Sequence, residues 1–486
     1  MTHHFRTPMA LSIALAMAGC AAVGPDYKVP DDAVVNRTAA SAPFQQSQEA
    51  AFEQDSVPDT WWRLYQDPTL DKLIAQALQV NTSLRIAAAN LERAQAVVQE
   101  AQGQQSPTIG VSGGPTYGHA SGVSAMAPDV RPANHWSYSG GLQVGYQVDL
   151  FGRIRRAVEA AQDDEQAAQA AYDATRVTVV AETASAYADI CSAGMQLASA
   201  QHSVNVQQES LNALQRLQQA GRGTLLDVTR ARSQLQQLQA NLPPFEASQR
   251  MALYRLAVLT GRTPAEMPGS LLACKQAPRL SQTIPVGDGA ALLRRRPDIR
   301  QAERKLAAAT ARIGVATASL YPTISLGLSA GSAGPTSLFG ERGTFSWSVG
   351  PLISWTIPNT GVAQAQIAQA KAVASSALAS FDGSVLNALQ ETESALVSYA
   401  RQLDRHASLE EARSQSALAA DEAEQLFRAG KTDYLNVLDA QRTLAADESA
   451  LAASQAALSA DQIKLFLALG GGWQDTAPEQ KADADS

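Results

Sequence analysis

Between Trp136 and Asp149 apolar and polar side chains alternate with a period of two. Trp136, Tyr138, Leu142, Val144, Tyr146 and Val148 share one face, and Ser137, Ser139, Gln143, Gln147 and Asp149 the other. The pattern returns where Phe345, Trp347, Val349, Ile353, Trp355 and Ile357 alternate with Ser346, Ser348, Gly350, Ser354 and Thr356. A weaker run precedes each, with Ile109 and Val111 in one and Ile324, Leu326 and Leu328 in the other. These runs predict four strands, over 107-118, 136-149, 322-331 and 345-357. Each meets the ~9–11 residues that a tilted membrane strand needs, with aromatic side chains near its ends as at a lipid interface. Lipid forbids open sheet edges, and single-chain barrels start at about eight strands, so four strands predict that several copies share one barrel.

Elsewhere the pattern is helical and long. From Arg153 to Gln219 there is no proline, and the only glycine is Gly194. At ~1.5 Å per residue such a helix is roughly 100 Å long. Gly221 or Gly223 ends it, and a return helix runs from Thr224 towards Leu259, interrupted at Pro243-Pro244. Val362 to Ala429, a break at Gly430 and Asp433 to Leu469 repeat the arrangement. The chain is in fact a duplication. Asn81 to Ile109 aligns with Arg296 to Ile324 at a shift of 215, pairing Pro107-Thr108-Ile109 with Pro322-Thr323-Ile324. Beyond one loop the shift is 209, pairing Tyr146 with Trp355, Gly152 with Gly361 and Ala220-Gly221 with Ala429-Gly430. The expected organisation is a leader over 1-19, a first segment over 20-80 and a first repeat over 81-261. A connector over 262-291, a second repeat over 292-470 and a disordered tail over 471-486 follow.

Composition fits closely packed helices: of 486 residues 45% are apolar but only 6% aromatic and 17% charged, with alanine and glutamine abundant. The first residues read as an export signal, with Arg6, an apolar stretch from Pro8 to Ala18 and small residues before Cys20. The apolar stretch is shorter than a spanning helix needs. The cysteine after that site resembles a bacterial lipoprotein box, with Met17 where the motif prefers leucine. The resemblance implies cleavage before Cys20 and its modification by diacylglycerol and an acyl chain, with Ala21 implying export to the outer membrane. Removing the leader takes away only Arg6, leaving 37 basic against 46 acidic residues and a formal charge of −9. That balance opposes a nucleic-acid partner. Cys191 and Cys274 could bridge in an oxidising compartment, but two buried free thiols are the expectation.

Catalytic and metal chemistry finds no foothold. His119, His135, His202 and His406 are scattered, and neither a His-Glu-x-x-His nor a Gly-x-Ser-x-Gly motif occurs. Gly430-Lys431-Thr432 looks like the end of a phosphate loop, but Gln425 stands where its first glycine would be. The reading is therefore no enzyme, no metal site and no cofactor apart from the lipid on Cys20.

The chain resembles the TolC superfamily of outer-membrane efflux channels, in its OprM-like lipoprotein branch (the NodT family). The resemblance rests on Gly24-Pro25-Asp26-Tyr27-Lys28-Val29-Pro30, on Trp61-Trp62 with Leu70, Leu73-Ile74 and Asn81, and on Asp149-Leu150-Phe151-Gly152-Arg153. Arg295-Arg296-Pro297-Asp298-Ile299, with Ala302-Glu303, Ile313-Gly314 and Tyr321-Pro322, carries it most strongly. It covers nearly all of the mature chain. It implies a mainly α fold with membrane β: a homotrimer sharing a twelve-stranded β-barrel, four strands per chain, continuous with a periplasmic α-helical barrel. It further implies passive conduction, with a periplasmic adaptor (membrane fusion protein) and an inner-membrane RND-type pump docking at the helical tips, the pump selecting the cargo. The family's periplasmic gate maps onto Leu435 as an apolar ring, Asp439 as an acidic ring and Arg442 as its partner; Asp227 and Arg230 would brace the equivalent first-repeat turn. A lipid-tethered periplasmic scaffold without a pore is the alternative; it would share the helices and Cys20 but would not need the alternating strands.

Overall fold

A computed structural model of the chain describes residues 22–124, 126–280, 282–357 and 360–471. The leader, Cys20 and the tail beyond residue 471 lie outside the described residues. The order is β1 (Phe52–Glu53), α1 (Pro68–Val80), α2 (Thr82–Gly103), β2 (Thr108–Gly118), β3 (His135–Val148), α3 (Arg153–Gln219), α4 (Leu225–Ala240) and α5 (Leu242–Leu259). There follow β4 (Ile284–Pro285), α6 (Gly289–Arg295), α7 (Pro297–Ala318), β5 (Thr323–Pro335), β6 (Phe345–Ser354), α8 (Thr360–Arg428) and α9 (Tyr434–Ala468). The chain forms two compact units, and each draws on both repeats. One holds residues up to Pro30 with Leu91–Ala168 and Ala302–Phe381; the other holds Asp31–Asn90, Gln169–Gln301 and the chain from Asp382.

In the first unit β2, β3, β5 and β6 pair antiparallel in that order. The register sets Ile109 beside Val144, Val144 beside Leu328 and Leu328 beside Val349, so the apolar residues of all four strands fall on one face. That face is exposed: Val111 is 81% accessible and Trp347 76%. Ser112, Gln143, Ser329 and Ser348 lie on the other, with Ser329 Oγ 2.8 Å from Ser348 Oγ. β5 continues to Pro335, beyond the expected 331, because Ser332 to Pro335 are small residues whose backbone pairs with Ser137 to Gly140 although they carry no apolar alternation. β6 stops at Ser354 because its partner begins at Thr323, opposite it. The polypeptide turns from β3 into α3 through Gly152 at φ +78°. Asp149 caps the new helix, its carboxylate accepting the backbone N–H of Ile154 at 3.0 Å and of Arg155 at 2.9 Å. Gly361, expected to release β6 in the same way, is instead the second residue of α8.

The second unit holds the larger core, where Trp61, Leu70, Ile74, Ile190, Leu256, Ile284, Leu396, Leu465 and Phe466 are almost wholly buried. Trp61 stacks on Phe466 with ring centroids 4.7 Å apart. The two arginines of the Arg-Arg-Pro-Asp motif fix the edges of this core. Arg295 Nη2 donates to Asp59 at 2.7 Å, and Arg296 Nη1 donates to the carbonyl of Ala468, the last residue of α9, at 2.9 Å. The return helix of the first repeat is interrupted two residues before the expected site, at Asn241: α4 ends at Ala240, and Leu242-Pro243-Pro244 open α5, where prolines need donate no hydrogen bond.

The two internal cysteines are not free thiols. Cys191 in α3 and Cys274 in the connector form a disulfide with Cα atoms 4.7 Å apart, across 83 residues. The contact is backbone-tight, since a Cβ on Gly194 would fall 2.1 Å from the Cys274 carbonyl oxygen. Gln249 braces it, donating to the carbonyls of Ile190 and Leu272 at 3.3 and 3.0 Å. Nothing in the local pattern brought connector and helix together; tertiary packing did. Replacing both cysteines by serine is expected to cost roughly 2–5 kcal/mol, read as a lowered thermal midpoint of the detergent-solubilised protein.

His406 of α8 lies 7% exposed, with Nδ1 3.3 Å from Ser454 Oγ of α9. Burial, helped by the charge of Arg279, pushes its pKa below the ordinary 6.5. The unfolded chain then takes up the proton first, so stability is lost as pH falls through 6.5 towards the lowered native value. Thermal midpoints at about pH 7.5 and about pH 5.5 are expected to differ less in His406→Gln than in the native protein.

Candidate functional site

The candidate site is built from two helical turns of the second unit. α3 and α8 end the same way. Gly221 and Gly430 take φ +72° and +70°, where a side chain would be strained. Arg222 N–H closes on the Leu217 carbonyl at 2.9 Å, and Lys431 N–H on that of Leu426 at 2.9 Å. New helices start four residues after each glycine. Thr224 caps α4, its Oγ1 accepting the Asp227 N–H at 3.1 Å and donating to the Asp227 carboxylate at 2.5 Å. Asp433 caps α9, accepting the Asn436 N–H at 3.3 Å. Asn436 in turn donates to Thr432 Oγ1 at 2.7 Å.

Behind the turns a small core of Leu211, Leu214, Val228, Leu235, Tyr434, Val437 and Leu438 locks the helix orientations. Phe427 packs against Tyr434 at 5.8 Å, and the Tyr434 hydroxyl lies 3.2 Å from Ser210 Oγ. With Tyr434, Val437 and Leu438 turned inward, α9 must present Leu435 and Asp439 outward, and both are exposed. Arg442 lies one turn further on. Its Nε donates at 2.7 Å to Oε1 of Gln234, a side chain held 93% from solvent on α4 of the same chain. Among the described residues Arg442 makes no ion pair with Asp439.

Leu435, Asp439 and Arg442 thus share one helix, while Asp227 and Arg230 sit on the equivalent helix of the first repeat, Asp227 committed to its cap and Arg230 half-buried. The shift of 209 sets Arg230 at the position of Asp439, so equivalent places on the two turns carry opposite charge. Sequence reasoning missed Gln234 as the holder of Arg442. A polar residue at a helix position flanked by Val228, Ala231 and Leu235 was the available signal.

The family model described as "Outer membrane efflux protein" matches this chain twice, over residues 73–262 and 290–471, once per repeat. The chain belongs to the outer membrane efflux protein family. It is 31% identical to the solvent efflux pump outer membrane protein SrpC of Pseudomonas putida, covering 94% of this chain and 97% of that one. It is 28% identical to the probable outer membrane lipoprotein SilC of Salmonella typhimurium over 96% of this chain and 98% of that one. Among solved structures it is similar to the outer-membrane channel OprN, with a TM-score of 0.86, 35% identity and 93% of this chain and 99% of that chain covered. As a member of this family the protein is an efflux channel of the Gram-negative outer membrane with the TolC-like fold, helices and membrane strands in one chain. Family members and structural neighbours are channel proteins rather than enzymes.

Proposed function

We propose that three copies of this chain form the outer-membrane duct of a tripartite efflux pump, conducting its cargo passively after a periplasmic adaptor and an inner-membrane RND-type pump dock at the helical turns. One observation carries the assembly: a four-stranded sheet, apolar on an exposed face, whose outer strands β2 and β6 have no further partner strand among the described residues. Such a sheet is stable in lipid only when closed, and three copies give twelve strands with every edge paired. The serine, glutamine and glycine face then lines a wide polar pore.

At the turns, threefold symmetry would gather three copies of Leu435 and of Asp439 into rings. Identical carboxylates repel unless a cation or a basic group sits between them. Arg442 and, from the equivalent turn of the first repeat, Arg230 are the available basic partners, with Asp227 bracing the cap beneath Arg230. We further propose that Cys20 carries diacylglycerol and an acyl chain that tether each copy to outer-membrane lipid. The relative SilC, named as a lipoprotein, supports this reading.

The test is gel mobility of the purified protein before and after boiling. An unboiled band at about three times the 51.3 kDa chain, collapsing to one chain on heating, is the expected result. A species that is one chain in both samples would overturn the shared barrel.

A further inference from the structure

The duplication supplies a template for the seam between copies. Within one chain β3, the second strand of the first repeat, pairs with β5, the first strand of the second. The pairing runs from Ser137 opposite Pro335 to Val148 opposite Ile324. Next to it α3 packs on α7. Asp164 of α3 forms an ion pair with Arg312 of α7, and Arg304 of α7 reaches Asp163 at 3.6 Å and Gln166 at 3.3 Å. Val158 of α3 and Leu306 and Ala311 of α7 are buried. The matching segments of the other two repeat halves lack such cover. From Leu91 to Gly103 of α2 no side chain is buried, and from Thr360 to Ser380 of α8 only Ala363 is. Ile367, Leu91 and Ala96, the repeat equivalents of Val158, Leu306 and Ala311, are among those left uncovered.

Closing the barrel sets β6 of one copy against β2 of the next, again a second strand against a first. We infer that the seam between copies repeats the internal one in register, residue for residue; this rests on the shared barrel proposed above. Carried over by the shifts of 209 and 215, the register sets Ile357 opposite Ile109, Trp355 opposite Val111, Pro351 opposite Pro115 and Val349 opposite Tyr117 of the next copy. Apolar residues then meet on the lipid face along the whole seam. The register also accounts for Trp355 and Ile357, which continue the apolar alternation past Ser354, where β6 loses its partner within the chain. It brings the prolines inside the two edge strands to one level, so both missing backbone donors fall together. Below the barrel, Asp164 and Arg312 map onto Val373 of α8 and Val97 of α2. These valines are 51% and 47% exposed in the single chain. Both members of the ion pair have changed together, into an apolar contact between copies. Gln99 stands at the position of Gly314, where a Cβ would fall 2.8 Å from the Val23 carbonyl oxygen. A side chain thus fills between copies the space that the N-terminal segment fills within the chain.

The experiment uses the full-length protein in its own outer membrane, with Val111→Cys and Trp355→Cys in one chain. Side chains directly opposite across an antiparallel pair lie within reach of a disulfide. After mild oxidation and boiling without reductant, covalent dimers and trimers are the expected bands, lost on reduction and absent from either single variant. Pairing Val111→Cys with Ile353→Cys instead, two residues out of register, is expected to lose them. Because a cysteine in a membrane strand can hinder folding, Val97→Cys with Val373→Cys, joined by a short bismaleimide, tests the same seam outside the lipid and is expected to give the same bands. Unboiled oligomers that cross-link through residue 353 rather than 355, or through neither designed pair, would overturn the register and leave the shared barrel standing. Native protein that runs as one chain before boiling would overturn both.

Discussion

Cells whose channel carries Asp439→Ala together with Arg442→Ala are expected to leak, admitting large hydrophilic antibiotics that the native channel excludes. The size follows from symmetry. Asp439 and Arg442 do not pair within one chain, so the effect rests on pairs between copies. Each exposed pair is worth about 0.2–1 kcal/mol, and three of them shift the closed-to-open ratio by roughly 3- to 150-fold. Antibiotic sensitivity and uptake of a fluorescent hydrophilic dye measure this directly. Asp439→Ala alone is expected to do less, because Arg442 keeps its bond to Gln234 and with it the position of α9 against α4. Permeability equal to the native protein's in the double variant would contradict a gate at these residues. High salt should mimic the variant in part, since exposed charges are screened.

The second large effect is on stability. Arg296→Ala is expected to cost about 1–3 kcal/mol, since a buried guanidinium and its charge-assisted hydrogen bonds are lost while the half-exposed carboxylates of Asp298 and Glu391 regain water. Its guanidinium, 10% exposed, donates to Asp298 at 2.7 and 3.0 Å, to Glu391 at 2.8 Å and to the Ala468 carbonyl at 2.9 Å. Removal takes from the Ala468 carbonyl its charged donor, leaving only the Thr392 hydroxyl at 3.3 Å, and leaves Asp298 and Glu391 without their shared counter-charge. Arg296→Lys is expected to recover only part, because an ammonium cannot serve three separated acceptors with the fork of a guanidinium. The lowered thermal midpoint and the yield of folded protein report the effect; midpoints unchanged from the native protein would contradict it.

Residue by residue, the fold was legible wherever one periodic pattern dominated. Trp136 to Val148 alternates so regularly that only one face of the strand can meet lipid, and the uninterrupted run from Arg153 to Gln219 admits little but helix. The extension of β5 through Ser332 to Pro335 was not legible, because small residues pair through backbone without an apolar signal. Neither was the disulfide. Cys191 and Cys274 are joined only after α3, α5 and the connector converge, and no spacing in the sequence encodes that convergence. Gly152 and Gly361 look equivalent in the repeat, yet only Gly152 needs a left-handed backbone, because α8 begins one residue before Gly361.

The candidate gate was visible in part. Gly430 and the residues that follow mark the turn, and the alternation of buried Tyr434, Val437 and Leu438 with exposed Leu435 and Asp439 follows from helical spacing. The partner of Arg442 was not visible, since Gln234 lies 208 residues away and reaches it only through the packing of α4 on α9.

The single-channel conductance of the purified native protein in a planar bilayer tests the central claim most directly. The account predicts small, discrete, cation-selective steps from the folded oligomer, as a closed polar barrel with an acidic ring requires. A folded oligomer that inserts and never conducts would contradict it, and would return the chain to the role of a tethered scaffold.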